Sequence, residues 1–96
     1  MALSADGSTA LVADFSNSVI RVITLATGGV TTLAGTPGSS GSADGVGTGA
    51  RFAYPAGIAL SGDGATVLVA DPDNQSIRRI GFVSVSPRVS LPLVRG

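Results

Sequence analysis

The chain has 96 residues, carries no net formal charge and contains neither cysteine nor histidine. Its six arginines are spread along the sequence, which argues against nucleic acid or an anionic membrane as partner, since both require a concentrated basic surface. No apolar run approaches the roughly 20 residues of a membrane span, so no membrane insertion is expected, and the absence of cysteine leaves the redox compartment open.

The composition disfavours helix. Lysine and glutamate, two standard residues of helix surfaces, are both absent, and 14 glycines and five prolines would interrupt helices. Aromatic residues make up only 4% of the chain, so its apolar content is mainly aliphatic. We therefore expect an all-β fold.

Four strands are predicted in the first part of the chain: the stub AL (2–3), ALVAD (10–14), VIRVITL (19–25) and VTTLA (30–34). The Asp-Gly pair at Asp6 and Gly7 supplies a hairpin corner with positive φ. Asn17, in FSNS, is a residue type that caps its own turn.

A linker of 15 residues follows, TPGSSGSADGVGTGA (36–50), with five glycines. It lacks the apolar content to order itself by burial, so we expect a flexible loop that is more mobile than the strands. An anion-binding nest is the alternative, but the lysine and the strand–turn–helix setting of a phosphate loop are missing. After the linker, Phe52 and Tyr54 are the largest local anchors.

The second part again reads as four strands: GIAL (57–60), VLVAD (67–71), SIRRIGFV (76–83) and VSLPLV (89–94). Residues 59–80 match residues 2–23 at 14 of 22 positions without a gap, which identifies an internal repeat with an offset of 57 residues. The last strands match at an offset of 61, so the turn between the third and fourth strands is predicted to be four residues longer in the second copy.

The apolar runs ALVA and VLVA are continuous rather than alternating, which is typical of strands covered on both faces. A meander of four short strands with neighbours on both faces describes a propeller blade, whereas a two-sheet sandwich would show cleaner alternation. We therefore predict two four-stranded antiparallel blades, in units 1–35 and 51–96 joined by the loop 36–50, that are incomplete as a single chain.

The second copy resembles the NHL repeat, the blade unit of NHL-type β-propellers. The resemblance lies in ARFAYPAGIAL followed by SGDGATVLVADPDNQSIRRI, at Pro55, Gly57, Ile58, Ala59, Val69, Ala70, Asp71, Asn74, Ile77 and Arg78. VTTLAG at 30–35 is similar to the family's fourth strand. Two features differ: the histidine that usually follows the asparagine is Ser18 or Gln75 here, and the 57-residue offset exceeds the usual blade of about 40–45 residues.

Catalytic chemistry is not expected. Histidine, cysteine, lysine and glutamate are all absent, and these are the usual donors and acceptors of protons near neutral pH. Asp71 and Asp73 have the spacing that begins a calcium loop, but Ser76 and Phe82 occupy the positions of its glycine and glutamate. No catalytic, metal-binding or cofactor-binding residue is predicted.

Two polar pairs recur in register, Asp14 with Arg21 and Asp71 with Arg78. If PDNQ is a four-residue loop, Val69 lies opposite Arg78, and Asp71 and Arg78 project from one face as diagonal neighbours. A recognition pair and an ion pair within the blade both fit this pattern, and the ion pair is favoured because the pattern repeats with the blade.

Asn74 begins the only match to the N-glycosylation pattern among the two repeated asparagines, Asn74-Gln75-Ser76. It is also the turn asparagine of the repeat, which explains its presence without a glycan. Glycosylation would in addition require that the chain is exported. An extracellular location is favoured on this ground, and the compartment is otherwise open.

The function predicted on these grounds is that of a non-catalytic propeller segment, a scaffold or protein-interaction module within a larger chain or assembly. The alternatives are a structural module of an extracellular glycoprotein fibre, and the wall of an enzymatic or sugar-binding propeller that other blades complete. Propellers close with about four to eight blades, so the partners are further blades, from copies of the chain or from other chains. We expect the open faces to be lined by Leu11, Val12, Leu68 and Val69; ligand and blade number are not specified.

Overall fold

The fold is all-β, as predicted, and consists of two antiparallel sheets. The computed structural model describes residues 2–3, 7–61, 66–86 and 89–95, and from 82 to 93 it describes the main chain alone. The helical segments within these ranges are three-residue 3₁₀ turns. Gly7 has the predicted positive φ of 73°, whereas the corresponding turn at Asp63 and Gly64 lies outside the described residues.

The first sheet is a four-stranded meander in the order β1-β2-β3-β4. Its strands are β1 (Ala2–Leu3), β2 (Thr9–Asp14), β3 (Val19–Thr24) and β4 (Gly29–Ala34). All three pairings are antiparallel, and each strand lies within a residue of its predicted bounds.

The second sheet has five strands in the order β5-β9-β8-β7-β6. They are β5 (Gly45–Val46), β6 (Gly57–Leu60), β7 (Thr66–Asp71), β8 (Ser76–Ser86) and β9 (Val89–Arg95). Strand β5 comes from the predicted loop and adds to the outer edge by pairing Gly45 with Val94.

Two details of the second sheet correct the sequence analysis. Strand β5 was not predicted, since two residues in a glycine-rich segment give no strand pattern. The prediction of a longer turn between the third and fourth strands is wrong, because β8 continues to Ser86 and β9 resumes at Val89. The additional residues lengthen the hairpin instead.

The turn between the second and third strands of each unit fixes the register that the functional residues require. Each is a 3₁₀ turn, Phe15–Asn17 or Pro72–Asn74, followed by a residue in the left-handed region: Ser18 (φ 57°) or Gln75 (φ 52°). The second turn sets Asp71 opposite Ser76 and Val69 opposite Arg78, as predicted for a four-residue loop.

The core lies between the two sheets. Leu11 and Ile20, on one face of the first sheet, join Val67, Val69 and Ile80 of the second sheet in one buried cluster. The side chains from β7 and β8 share a face because directly opposite residues in an antiparallel pair project to the same side. The units therefore stack face to face in a head-to-tail sense, with different faces of the repeat in contact.

The end of the linker and the residues just after it complete this core. Ala50 and Phe52 are fully buried in the cluster, which confirms the prediction that Phe52 is an anchor. The same prediction is wrong for Tyr54, which lies on the surface with its ring 5.4 Å from that of Phe15. Its main-chain N–H donates to Ser18 Oγ at 3.2 Å and ties the second unit to the turn of the first.

The outer face of the second sheet is open. Leu68 is 47% exposed and Ile77 is 62% exposed, although their repeat equivalents Leu11 and Ile20 are buried. The predicted set of open-face residues is therefore only partly right: Leu68 is exposed, but Leu11 and Val69 lie inside the core. A continuous apolar run does not show which of its two faces the chain itself covers.

The repeat offers a matched pair for a stability test, Ile20→Ala and Ile77→Ala. We expect Ile20→Ala to lower the free energy of unfolding by about 2–5 kcal/mol, because it leaves a cavity in the core. Ile77→Ala should change it by less than about 1 kcal/mol in the monomer, as for most surface substitutions. Urea unfolding at low protein concentration measures both, and equal losses would contradict the assignment of the inner face.

Candidate functional site

The most organised polar site lies where β7, its 3₁₀ turn and β8 meet. We call it the covered site, and it consists of Asp71, Asn74 and Arg78. Asp71 ends β7, Asn74 closes the turn and Arg78 lies two residues into β8. Asp71 Oδ2 accepts hydrogen bonds from Asn74 Nδ2 at 2.8 Å and from Arg78 Nη1 at 3.1 Å. The predicted diagonal neighbours therefore form an ion pair.

Arg78 is a buried cation, with 2% of its side chain exposed. Besides Asp71, it donates to the main-chain oxygens of Arg51 (2.8 Å) and Ala43 (3.0 Å) and to Asp44 Oδ1 (3.0 Å). Its guanidinium lies 5.0 Å from the centre of the Phe52 ring, within the range of a cation–π contact. Only Nε lacks a partner among the described atoms.

The linker and the three residues that follow it cover this site through polar contacts, and from here on the linker means residues 36–53. Asn74 Nδ2 donates to Gly41 O at 2.8 Å, and Asp71 Oδ1 accepts from Ala53 N at 3.0 Å. The linker also pairs with itself, since Gly41 N donates to Phe52 O and Arg51 N to Ala43 O, each at 2.9 Å. The higher mobility of the linker stays a prediction. These hydrogen bonds nevertheless hold it in place, which its composition alone did not indicate.

The first sheet carries the equivalent residues Asp14, Asn17 and Arg21, which we call the open site. Asp14 Oδ2 accepts from Asn17 Nδ2 at 3.0 Å and from Arg21 Nε at 3.1 Å. Arg21 Nη1 also donates to Thr32 Oγ1 across the β3–β4 pair at 2.6 Å. The Arg21 side chain is 26% exposed, and its hydrogen bonds within the described chain go to Asp14 and Thr32 rather than to the linker. The linker contacts this turn through its main chain, where Gly38 N donates to Asn17 O at 2.9 Å.

Asp14 is electrostatically stabilised as the carboxylate. The hydrogen bond from Asn17, followed by the hydrogen bond and charge of Arg21, lowers the pKa of Asp14 below its ordinary value of 3.8. The partial burial of the group opposes this effect. The open site is therefore an anion–cation pair at neutral pH.

Asn74 is committed to the covered site. Both hydrogens of its Nδ2 are donated inside the protein, to Asp71 and to Gly41. Because an N-linked glycan is joined to Nδ2 and replaces one of its hydrogens, a glycan there requires at least one of these bonds to break. The geometry thus favours the role of turn and linker clamp for this residue.

Other chemistry finds little support in the part of the chain that the structure describes. No group of three or more acidic side chains is close enough to hold a metal ion there. No helix in that part has the length and hydrophobicity to cross a membrane. Asp73, the other residue of the apparent calcium loop, lies exposed in the first turn of the 3₁₀ segment.

Asp44 and the main-chain oxygens of Ala43 and Arg51 were missed by sequence analysis. For Asp44 the available signal was a single carboxylate in the otherwise uncharged stretch 36–50, which precedes the arginine of the second repeat. The carbonyl contacts carry no sequence signal, since every residue has a carbonyl group.

Comparison of the chain with models of known protein families finds no match, and comparison with curated proteins finds none at a significant level.

The two sites provide matched variants, Asp71→Asn and Asp14→Asn. Asp71→Asn leaves Arg78 without its buried counter-charge, since Asp44, the other carboxylate beside it, is exposed. We expect this to lower the free energy of unfolding by about 3 kcal/mol or more. Asp14→Asn weakens a partly exposed pair and should cost about 1 kcal/mol or less. Denaturant unfolding at neutral pH compares them, and losses of equal size would show that the linker does not bury the covered site in solution.

The acid dependence of stability provides a second test of the open site. The pKa of Asp14 is lower in the folded than in the unfolded chain, so its contribution is complete above about pH 4–5 and declines as the pH falls through the folded pKa. The difference in unfolding free energy between the wild type and Asp14→Asn should therefore shrink on acidification. Asn17→Ala, which removes the principal cause of the shift, should reduce the same pH dependence. A pH-independent difference would contradict the assigned pair.

Proposed function

We propose that this chain is a non-catalytic scaffold and protein-interaction module, built from two propeller-type blades similar to NHL repeats, that binds further sheets through its open faces. The observation that supports this most directly is the exposure of Leu68 and Ile77. Identical residues at the equivalent positions of the first sheet, Leu11 and Ile20, are buried by the next unit.

The internal interface indicates the kind of surface that fits the open face. Leu11 and Ile20 meet the face of the second sheet that carries Val67, Val69 and Ile80. The first sheet has an equivalent of that face, and it points away from the core. At the repeat positions it carries Val12 and Ile23, which are half-buried, and Ala10, which is buried between the exposed side chains of Leu3 and Val30 on the same face. A second copy therefore presents the required face.

The open face differs from its buried equivalent in its charge. Arg79 replaces Val22 on the central strand β8, where it lies opposite Leu68 on one side and Arg95 of β9 on the other. Both arginines are exposed. Long cationic side chains can keep their charged groups in water while their stems cover apolar surface, and the stem of Arg79 lies beside Leu68. Stacking would therefore centre on Leu68 and Ile77.

Closure gives the physical reason for assembly. Each sheet of a repeat array buries its faces only against neighbours, and two sheets leave two faces open. Large exposed apolar patches mark interaction sites or cause aggregation. Three copies would supply six sheets, a number within the range of closed propellers. The absence of histidine, cysteine, lysine and glutamate supports a non-catalytic role.

Sedimentation equilibrium of the purified chain tests this proposal, with Leu68→Asp as the variant. We expect the wild type to associate with increasing concentration into a species of defined mass, and Leu68→Asp to remain a monomer because it places a charge in the interface. Leu25→Asp is the matched control, since Leu25 is 48% exposed but lies in the turn after β3, away from the sheet faces.

The outcomes separate clearly. Association that Leu68→Asp abolishes and Leu25→Asp preserves supports stacking through the open face. A folded wild type that sediments as a monomer at all concentrations would contradict the proposal. So would an oligomer that both variants leave unchanged, because its interface would then lie elsewhere.

A further inference from the structure

The open site on the first sheet has the same three residue types as the covered site on the second sheet, but it lacks the covering segment. Both sites have an aspartate at the end of a strand, an asparagine three residues later and an arginine seven residues later. Both place the asparagine amide and the guanidinium on one carboxylate oxygen. They differ in what lies above them.

In the covered site, residues 41–53 supply five groups that hydrogen-bond to Asp71, Asn74 and Arg78. The segment supplies the oxygens of Gly41, Ala43 and Arg51, the Asp44 carboxylate and the N–H of Ala53. It also places the Phe52 ring against the guanidinium. The site therefore recognises a folded-back segment by its main chain, one carboxylate and one aromatic ring.

The corresponding positions of the open site are free among the described residues. The Asp14 carboxylate is bound by Asn17 and Arg21 and accepts no hydrogen bond from residues 41–53, Asn17 Nδ2 donates only to Asp14, and Arg21 Nη2 has no partner. The first two groups correspond to Asp71 Oδ1 and to the second amide hydrogen of Asn74, which hold residues 41–53 in the covered site. The guanidinium groups are oriented differently, because Arg21 binds Asp14 through Nε whereas Arg78 binds Asp71 through Nη1. In both sites, however, Nη2 is left for groups outside the repeat, so the open site retains one acceptor and two donors.

We propose that Asp14, Asn17 and Arg21 form a binding site for an acidic, glycine-rich protein segment of the kind found at residues 41–53. Arg21 Nη2 binds the segment's carboxylate and a main-chain carbonyl, Asn17 binds a second carbonyl, and Asp14 Oδ1 accepts a main-chain N–H. Thr32 already holds Arg21 Nη1, where Arg78 Nη1 binds Arg51 O. The open site therefore makes one carbonyl contact fewer than the covered site.

This site lies on the face of the first sheet that stacking would also use, because Arg21 is directly opposite Val12. It uses the polar groups at the turn end of that face, whereas the stacking proposed above depends on Leu68 and Ile77 of the second sheet. A chain that stays monomeric can still bind the segment, and a chain that oligomerises need not. The two proposals therefore stand or fall on different measurements.

The test is an NMR titration of the full isotope-labelled chain with a synthetic peptide of residues 40–54, SGSADGVGTGARFAY. We expect the signals of the β2–β3 hairpin, including the Arg21 Nε–H, to shift in a saturable way. Arg21→Gln should weaken binding about tenfold, as expected for the loss of a charge-assisted hydrogen bond. A peptide with Asp44→Asn should show a comparable loss.

The controls distinguish this site from others. Arg79→Gln removes an equal charge from the exposed outer face of the second sheet, and it should leave the affinity unchanged. Arg21→Lys keeps the charge without the planar fork and should lie between wild type and Arg21→Gln, which guards against a folding defect in the glutamine variant. Dispersed spectra of both variants confirm that they are folded.

Three results would overturn the inference. The first is no binding of the peptide at any concentration. The second is equal affinity for wild type and folded Arg21→Gln, which would mean that the peptide exchanges with the chain's own linker at Arg78 or binds elsewhere. The third is equal affinity of the Asp44→Asn peptide, which would show that the carboxylate is not recognised.

Discussion

The buried cation of Arg78 is the constraint on which the second half of the structure depends. A guanidinium taken out of water is costly unless counter-charge and hydrogen bonds replace its hydration. Asp71 supplies one charge from within the repeat, and the linker supplies the remaining acceptors as Asp44 and two main-chain oxygens. Hydrogen bonds to the Arg78 guanidinium therefore fix the position of the linker, although its own composition would leave it unordered. Its path in turn places Phe52 in the core and Gly45 at the edge of the second sheet.

The internal repeat allows the same residues to be compared in two settings within one molecule. Asp14 and Arg21 remain partly exposed, whereas Asp71 and Arg78 are buried. Leu11 and Ile20 are buried, whereas Leu68 and Ile77 face solvent. The first reversal comes from residues 41–53, which cover only the second pair. The second comes from the head-to-tail stacking, in which the two sheets bring different faces of the repeat into contact. The arrangement leaves an apolar face at one end and a face with a polar site at the other, so the two ends of the module differ in chemistry.

Much of the fold could be predicted from local sequence. The strands of the first sheet and the turn that sets Val69 opposite Arg78 follow from apolar runs and from turn residues whose conformational preferences are strong. The ion pairs follow from register alone, because residues on directly opposite and diagonal positions share a face. The candidate site was less accessible: its aspartate, asparagine and arginine repeat in the sequence, but the linker groups that cover one copy do so through main-chain atoms that every residue possesses.

The sequence by itself determined an all-β chain with two copies of a sheet unit, because strand period, turn chemistry and repetition are local properties of neighbouring residues. Only the tertiary structure decided which face of each sheet is buried, where the linker lies and which of the two arginines is enclosed. The reason is physical. Burial depends on which surface another element covers, and VLVA and ALVA are apolar on both faces, so either side could serve as the inner one. The stacking of the first sheet on Val67 and Val69 makes that choice and leaves Leu68 and Ile77 open.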